Sequence, residues 1–201
     1  MKQEELSTEK SLHLINKMIY EARGYFYESG LSAFLYGLSI LVCSLLQYAM
    51  EKGMITLPAT PFWLVVPVFI IQAFVQIKEE KKKQVKTFTD ETVDYVWVGY
   101  FLSAIIAAAF VGITYRFITV LLFLTGYASF LTGMITKFNY HKITGIICLL
   151  VAAYSFYQQD AIIFLLLAFV AVVVWIIPSF ILRAHFNKQN RIRNTTASMA
   201  K

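Results

Sequence analysis

Few side chains in this sequence are placed where they could do chemistry. Asp90, Glu91 and Asp94 stand together at the head of a long apolar run, and Asp94 is the acid closest to it. A carboxylate there could pass protons at the mouth of a membrane helix. It could equally lie in a first helical turn, where the helix dipole favours acids. Asp94 is therefore the candidate functional carboxylate. His13, His141 and His185 are scattered without ligand spacing, so no metal site is expected. A Gly-x-Ser-x-Gly elbow, a phosphate-binding loop, a His-Glu-x-x-His pair and a dinucleotide fingerprint are all missing from the sequence. The expectation is a non-enzymatic protein without a cofactor.

The elements that would position these residues are long and apolar. The chain has 201 residues, of which 58% are hydrophobic and 15% charged. Soluble domains carry roughly 25% charged residues, so composition points to a membrane protein. About 20 apolar residues cross a bilayer as a helix. Six such runs are predicted: Leu31–Met50, Pro61–Ile77, Val93–Ile113, Phe117–Thr136, Ile143–Gln158 and Ala161–Leu182. Helices are expected because backbone in lipid must satisfy its own hydrogen bonds, and nothing alternates as a barrel would. The fold class is thus all-α: a polytopic membrane protein of six transmembrane helices with an N-terminal amphipathic interfacial helix. Three regions follow: a cytoplasmic helix over 1–30, the membrane domain over 31–182 and a basic cytoplasmic tail over 183–201.

Charge sets the orientation. With the N-terminus inside, the inner segments hold sixteen Lys and Arg, and the outer loops hold only Lys52 and Arg116. Cytoplasmic loops carry the excess of positive charge, so both termini are expected in the cytoplasm. No cleavable signal peptide is expected. The tail from Arg183 to Lys201 has basic residues and no acids. Topology accounts for it better than nucleic-acid binding does. Cys43 and Cys148 fall inside the apolar runs and read as small buried residues rather than a disulfide.

Residues 8–29 form an amphipathic pattern with a 3.6-residue period. Leu12, Ile15, Met18, Ile19, Ala22 and Phe26 share the apolar side, while Lys17 and Tyr27 lie opposite. This stripe is the candidate surface for the lipid interface, for a protein partner or for self-association into a homo-oligomer. Its flanking charges nearly cancel, unlike those of an anionic-lipid sensor. The loop Lys78–Glu91 places Lys81, Lys82 and Lys83 together. They read as topogenic charge or as contacts to acidic lipid headgroups, at about 1 kcal/mol per lysine near the surface.

Uncharged polar residues recur inside the runs, among them Ser39, Ser44, Gln47, Tyr100, Ser103, Thr125, Ser129 and Thr132. Interhelical hydrogen bonds are the plain explanation, and a polar pore lining is the functional one. Ala33 and Gly37, Ser103 and Ala107, and Ser129 and Gly133 are small residues at four-residue spacing, which lets helices approach closely. Tyr48, Trp63, Tyr115, Tyr154 and Tyr157 suggest an outer aromatic belt, and Tyr95, Trp97 and Tyr140 an inner one; Trp175 lies deeper. Pro67 and Pro178 sit in similar heptapeptides and predict kinks.

Glu28-Ser29-Gly30 with Gly37, Lys137-Phe138 before Gly145-Ile146-Ile147-Cys148, and Ile177-Pro178-Ser179-Phe180-Ile181-Leu182 together resemble a family of uncharacterised bacterial six-helix inner-membrane proteins. Tyr36, Leu38 and Ser179 depart from that family's pattern. The resemblance implies a bacterial inner-membrane location and no activity. The functional expectation is a regulatory or accessory membrane protein that acts by binding a partner or lipid. The alternative is a small channel or transporter for an uncharged or apolar solute. The absence of ionisable groups from the middle of the runs counts against proton coupling.

Overall fold

A computed structural model describes residues 30–65, 67, 68, 70, 71, 74, 88–111, 115–158 and 160–184. They are helical with no strand among them. The helices are α1 (Leu31–Glu51), a 3-10 turn (Pro61–Leu64), α2 (Phe88–Val111), α3 (Tyr115–Ile135) and α4 (Asn139–Ser155). The last helix, α5, runs as Ile162–Ala171 and then as a π segment, Val172–Ile176, before continuing to Ala184. Leu31–Glu51, Phe88–Phe110, Tyr115–Ile135 and Ile162–Ala184 are each long and apolar enough to cross a membrane. Helix α4 has 17 residues, which rise roughly 25 Å. The stretch Pro61–Ile77 is described only in part.

Local chemistry explains the ends. Helix α1 begins after Gly30 and stops at Gly53, both in the left-handed region that glycine tolerates, at φ 69° and 70°. The Gly53 amide donates to Met50 O and the Met54 amide to Ala49 O, each at 2.9 Å. That paired closure is a Schellman motif. Asp160 Oδ1 accepts from the Ile162 amide at 2.9 Å at the head of α5. Between α3 and α4 the chain reverses at Lys137, a non-glycine residue at φ 56°. The tightness of that hairpin makes this costly conformation worthwhile.

Glycine sets the packing. In the antiparallel α3–α4 hairpin a Cβ on Gly133 would lie 2.5 Å from Lys142 N, and one on Gly145 2.5 Å from Phe130 N. Helices α1 and α5 are also antiparallel: Gly30 abuts Ser179 O, and Gly37 abuts Trp175 Cβ, each at 2.6 Å by the same measure. Ile118, Leu122, Cys148, Ala152, Ile163, Phe164, Leu167, Val170 and Val174 make the buried core between α3, α4 and α5.

Helix α2 stands at the margin. Tyr95 (66%), Ile105 (67%) and Phe110 (87%) are exposed along it, while Asp90, Val93 and Tyr100 face inward. Ser103 lies on the exposed side, whereas Ser129 and Gly133 are both buried. Helix α2 is already formed at Phe88, so Asp90 and Glu91 lie in its first turn, ahead of the apolar run from Val93.

Candidate functional site

The described residues converge on one aromatic and hydroxyl cluster where α1, α2, α3 and α5 meet. Tyr36 comes from α1, Trp97, Tyr100 and Phe101 from α2, Thr125 from α3 and Trp175 from the π segment of α5. The Trp175 ring lies 4.7 Å from Tyr36 and 4.8 Å from Trp97, and Trp97 lies 5.4 Å from Tyr100. Such edge and tilted contacts suit the ring quadrupoles. Thr125 Oγ1 donates to the Tyr100 hydroxyl at 3.2 Å, and the Phe101 ring lies 6.4 Å from Tyr36 and 5.1 Å from Tyr100. Tyr36, Tyr100 and Thr125 are all buried. Gly37 makes the assembly possible, because any side chain there would collide with Trp175.

A second polar cluster stitches the α3–α4 hairpin. Ser129 Oγ lies 3.4 Å from His141 Nδ1 and 3.5 Å from Thr144 Oγ1. Ser155 Oγ donates to Thr119 Oγ1 at 3.2 Å, and Cys148 Sγ to Leu122 O at 3.2 Å. His141 is buried ahead of the apolar run that begins at Ile143, and burial pushes its pKa down to about 4. It is neutral at physiological pH. A third network ties the opposite end: Tyr115 donates to Glu51 Oε2 at 2.8 Å, Gln47 to Glu51 Oε1 at 3.1 Å and Thr60 to Gln47 at 3.2 Å.

These clusters offer hydroxyls and aromatic faces, with the His141 imidazole in the second and the Glu51 carboxylate in the third. They can bind, pack and orient. Among the described residues no group of three His, Cys, Asp or Glu side chains is arranged for a metal. Cys43 and Cys148 are buried free thiols, Cys43 donating to Pro61 O at 3.2 Å. A cavity of about 30 Å³, room for one water, lies among Gly30, Leu31, Phe34, Ser179, Phe180 and Arg183.

Asp94 is half-buried and sits beyond the first turn of α2, which holds Asp90 and Glu91. The dipole effect fades within that first turn, so capping explains Asp90 and Glu91 better than Asp94. Leu12, Ile15, Met18, Ile19, Ala22 and Phe26, and Lys81, Lys82 and Lys83, lie outside the described residues. Trp175 is in the bundle, as its depth in the sequence suggested. Trp97, expected in an inner aromatic belt, contacts Trp175 in the same cluster, and Tyr140 reaches the carbonyl of Val173 at 2.9 Å. Pro178 is buried while Pro67 is exposed, so the two similar heptapeptides occupy different settings.

Tyr36 carried no signal in the sequence beyond its neighbour Gly37. His141 carried one that a histidine count overlooks: Gly145, four residues on, keeps it on a face crowded by α3. No family model, curated protein or solved structure matches this chain.

Proposed function

We propose that this chain is a six-span protein of a bacterial inner membrane that acts by binding, as a regulatory or accessory component. Its N-terminal helix would present Leu12, Ile15, Met18, Ile19, Ala22 and Phe26 to a protein partner or to the lipid interface. The observation that carries this reading is the contrast between outside and inside. The long helices turn apolar side chains outward, while Tyr100, Thr125, Ser129 and Ser155 are buried and bonded to one another or to neighbouring groups. A bundle stitched in this way is suited to hold a shape in lipid.

Six spans fit the charge better than four. With only the four long helices crossing and the N-terminus inside, the five lysines between Lys78 and Lys86 would lie outside. With six they lie inside, as positive charge prefers.

A second reading, a small transporter for an uncharged solute, draws on the π segment beside Trp175. Such irregular turns recur at functional sites. Proteoliposomes distinguish the two. The binding reading expects glycerol and urea to cross no faster than in empty vesicles. It also expects photo-crosslinkers at Ile15 and Phe26, unlike those at Lys17 and Tyr27, to label lipid or one discrete protein. Accelerated solute flux would promote the transporter.

A further inference from the structure

Helix α5 contains a conflict between its proline and its hydrogen-bond ladder. Pro178 has no N–H, so one carbonyl upstream loses its donor in any register. In an α register that carbonyl is four residues back, on Val174. In a π register it is five back, on Val173. The Ile177 amide donates to Val172 O, five residues back, so the π register holds up to the proline. Val173 O is thereby denied both Ile177 and Pro178. It is Val173 O that the Tyr140 hydroxyl reaches, at 2.9 Å. Val174 lies within the apolar core instead.

We propose that α5 is a two-register element and that the Tyr140 hydroxyl selects its register. Tyr140 is well placed for this. It sits in the first turn of α4, just past the Lys137 reversal, and the Gly133 and Gly145 contacts fix that hairpin. With the hydroxyl in place, the carbonyl orphaned in the π register is satisfied. With it withdrawn, the Ile177 amide returns to Val173, and the π turn relaxes to α.

The half of α5 beyond the turn then moves against the half before it, by up to the roughly 100° and 1.5 Å of one helical residue. The motion would carry Ser179 off Gly30 and Trp175 off Gly37, unsettling the contacts with Tyr36 and Trp97. A hydroxyl on one hairpin would thus govern the central aromatic cluster and the direction in which Arg183 leaves the bundle.

Nitroxide scanning from Ile177 to Ala184 in the full chain, in lipid nanodiscs, tests this through oxygen accessibility. The structure expects high values at Ile177, Phe180 and Ala184 and low values at Ser179 and Leu182. In Tyr140→Phe the pattern should shift by about one residue, or 100°. Pro178→Ala supplies a donor in either register, so the carbonyl no longer needs the Tyr140 hydroxyl, the better α geometry prevails and the pattern should shift likewise. Adding Tyr140→Phe to Pro178→Ala should move it no further. An unmoved pattern in either folded single variant overturns the proposal, as does a further shift in the double variant. If Tyr140→Phe fails to fold, Pro178→Ala alone decides by the same criterion.

Discussion

Gly37 lies flush against Trp175, so close that a Cβ on the glycine would fall 2.6 Å from the tryptophan Cβ. The contact brings α1 onto the π segment of α5 and lets the Tyr36 and Trp175 rings meet at 4.7 Å. Gly37→Ala should therefore destabilise the protein by about 1–3 kcal/mol through overpacking. Gly99 is the opposite case: nothing would touch its Cβ within 4 Å. Gly99→Ala should be neutral or stabilising by up to about 1 kcal/mol, from helix propensity alone. Reversible unfolding in mixed micelles measures both, and equal effects at the two sites would contradict this packing.

The Tyr100–Thr125 bond should behave as one interaction. Tyr100→Phe and Thr125→Val should each cost about 0.6–2 kcal/mol. The double variant should cost less than their sum, because both remove the same bond. Strict additivity would mean that the two hydroxyls are stabilised elsewhere.

His141 predicts a pH dependence. Its folded pKa of about 4 is below the unfolded value of 6.5, so the unfolded chain binds the extra proton between those values. Stability should be flat above about pH 6.5, fall as the pH drops from 6.5 towards 4, and level off below that. The full effect is about 3 kcal/mol. His141→Gln should flatten this part of the profile, whatever its effect on stability at neutral pH. A wild-type curve without a slope in that window would show that the imidazole is hydrated.

Asp94→Asn distinguishes a structural carboxylate from a proton carrier. Under the binding reading, proteoliposomes with an internal pH-sensitive dye should show no proton flux for wild type or variant. Flux present in wild type and lost in Asp94→Asn would favour transport, since Asp94 lies past the turn where dipole stabilisation would explain it.

The helices were legible because apolar run length is a direct consequence of what a helix must bury. Both ends of α1, the end of α3 and the start of α5 fall within two residues of expectation. Gly30 and Gly37 also stood out, although their partners Ser179 and Trp175 are more than 130 residues away in sequence. Apolar periodicity carries no information about such a pairing. Asp90 and Glu91 fall in the first turn of α2, where the helix dipole favours acids, although the apolar run itself starts only at Val93. The π turn was hidden in the sequence. Pro178 announces a lost donor, but which carbonyl goes without depends on whether a distant tyrosine can reach it.

The proposed membrane topology meets its most direct test in the segment Lys78–Lys86. Reporters that distinguish cytoplasm from periplasm would be inserted there, within the loop 52–60, and after Lys188. The account predicts an inside signal for Lys78–Lys86 and for the C-terminal fusion, with an outside signal for 52–60. An outside signal at Lys78–Lys86 would contradict it, leaving only the four long helices of the bundle as spans.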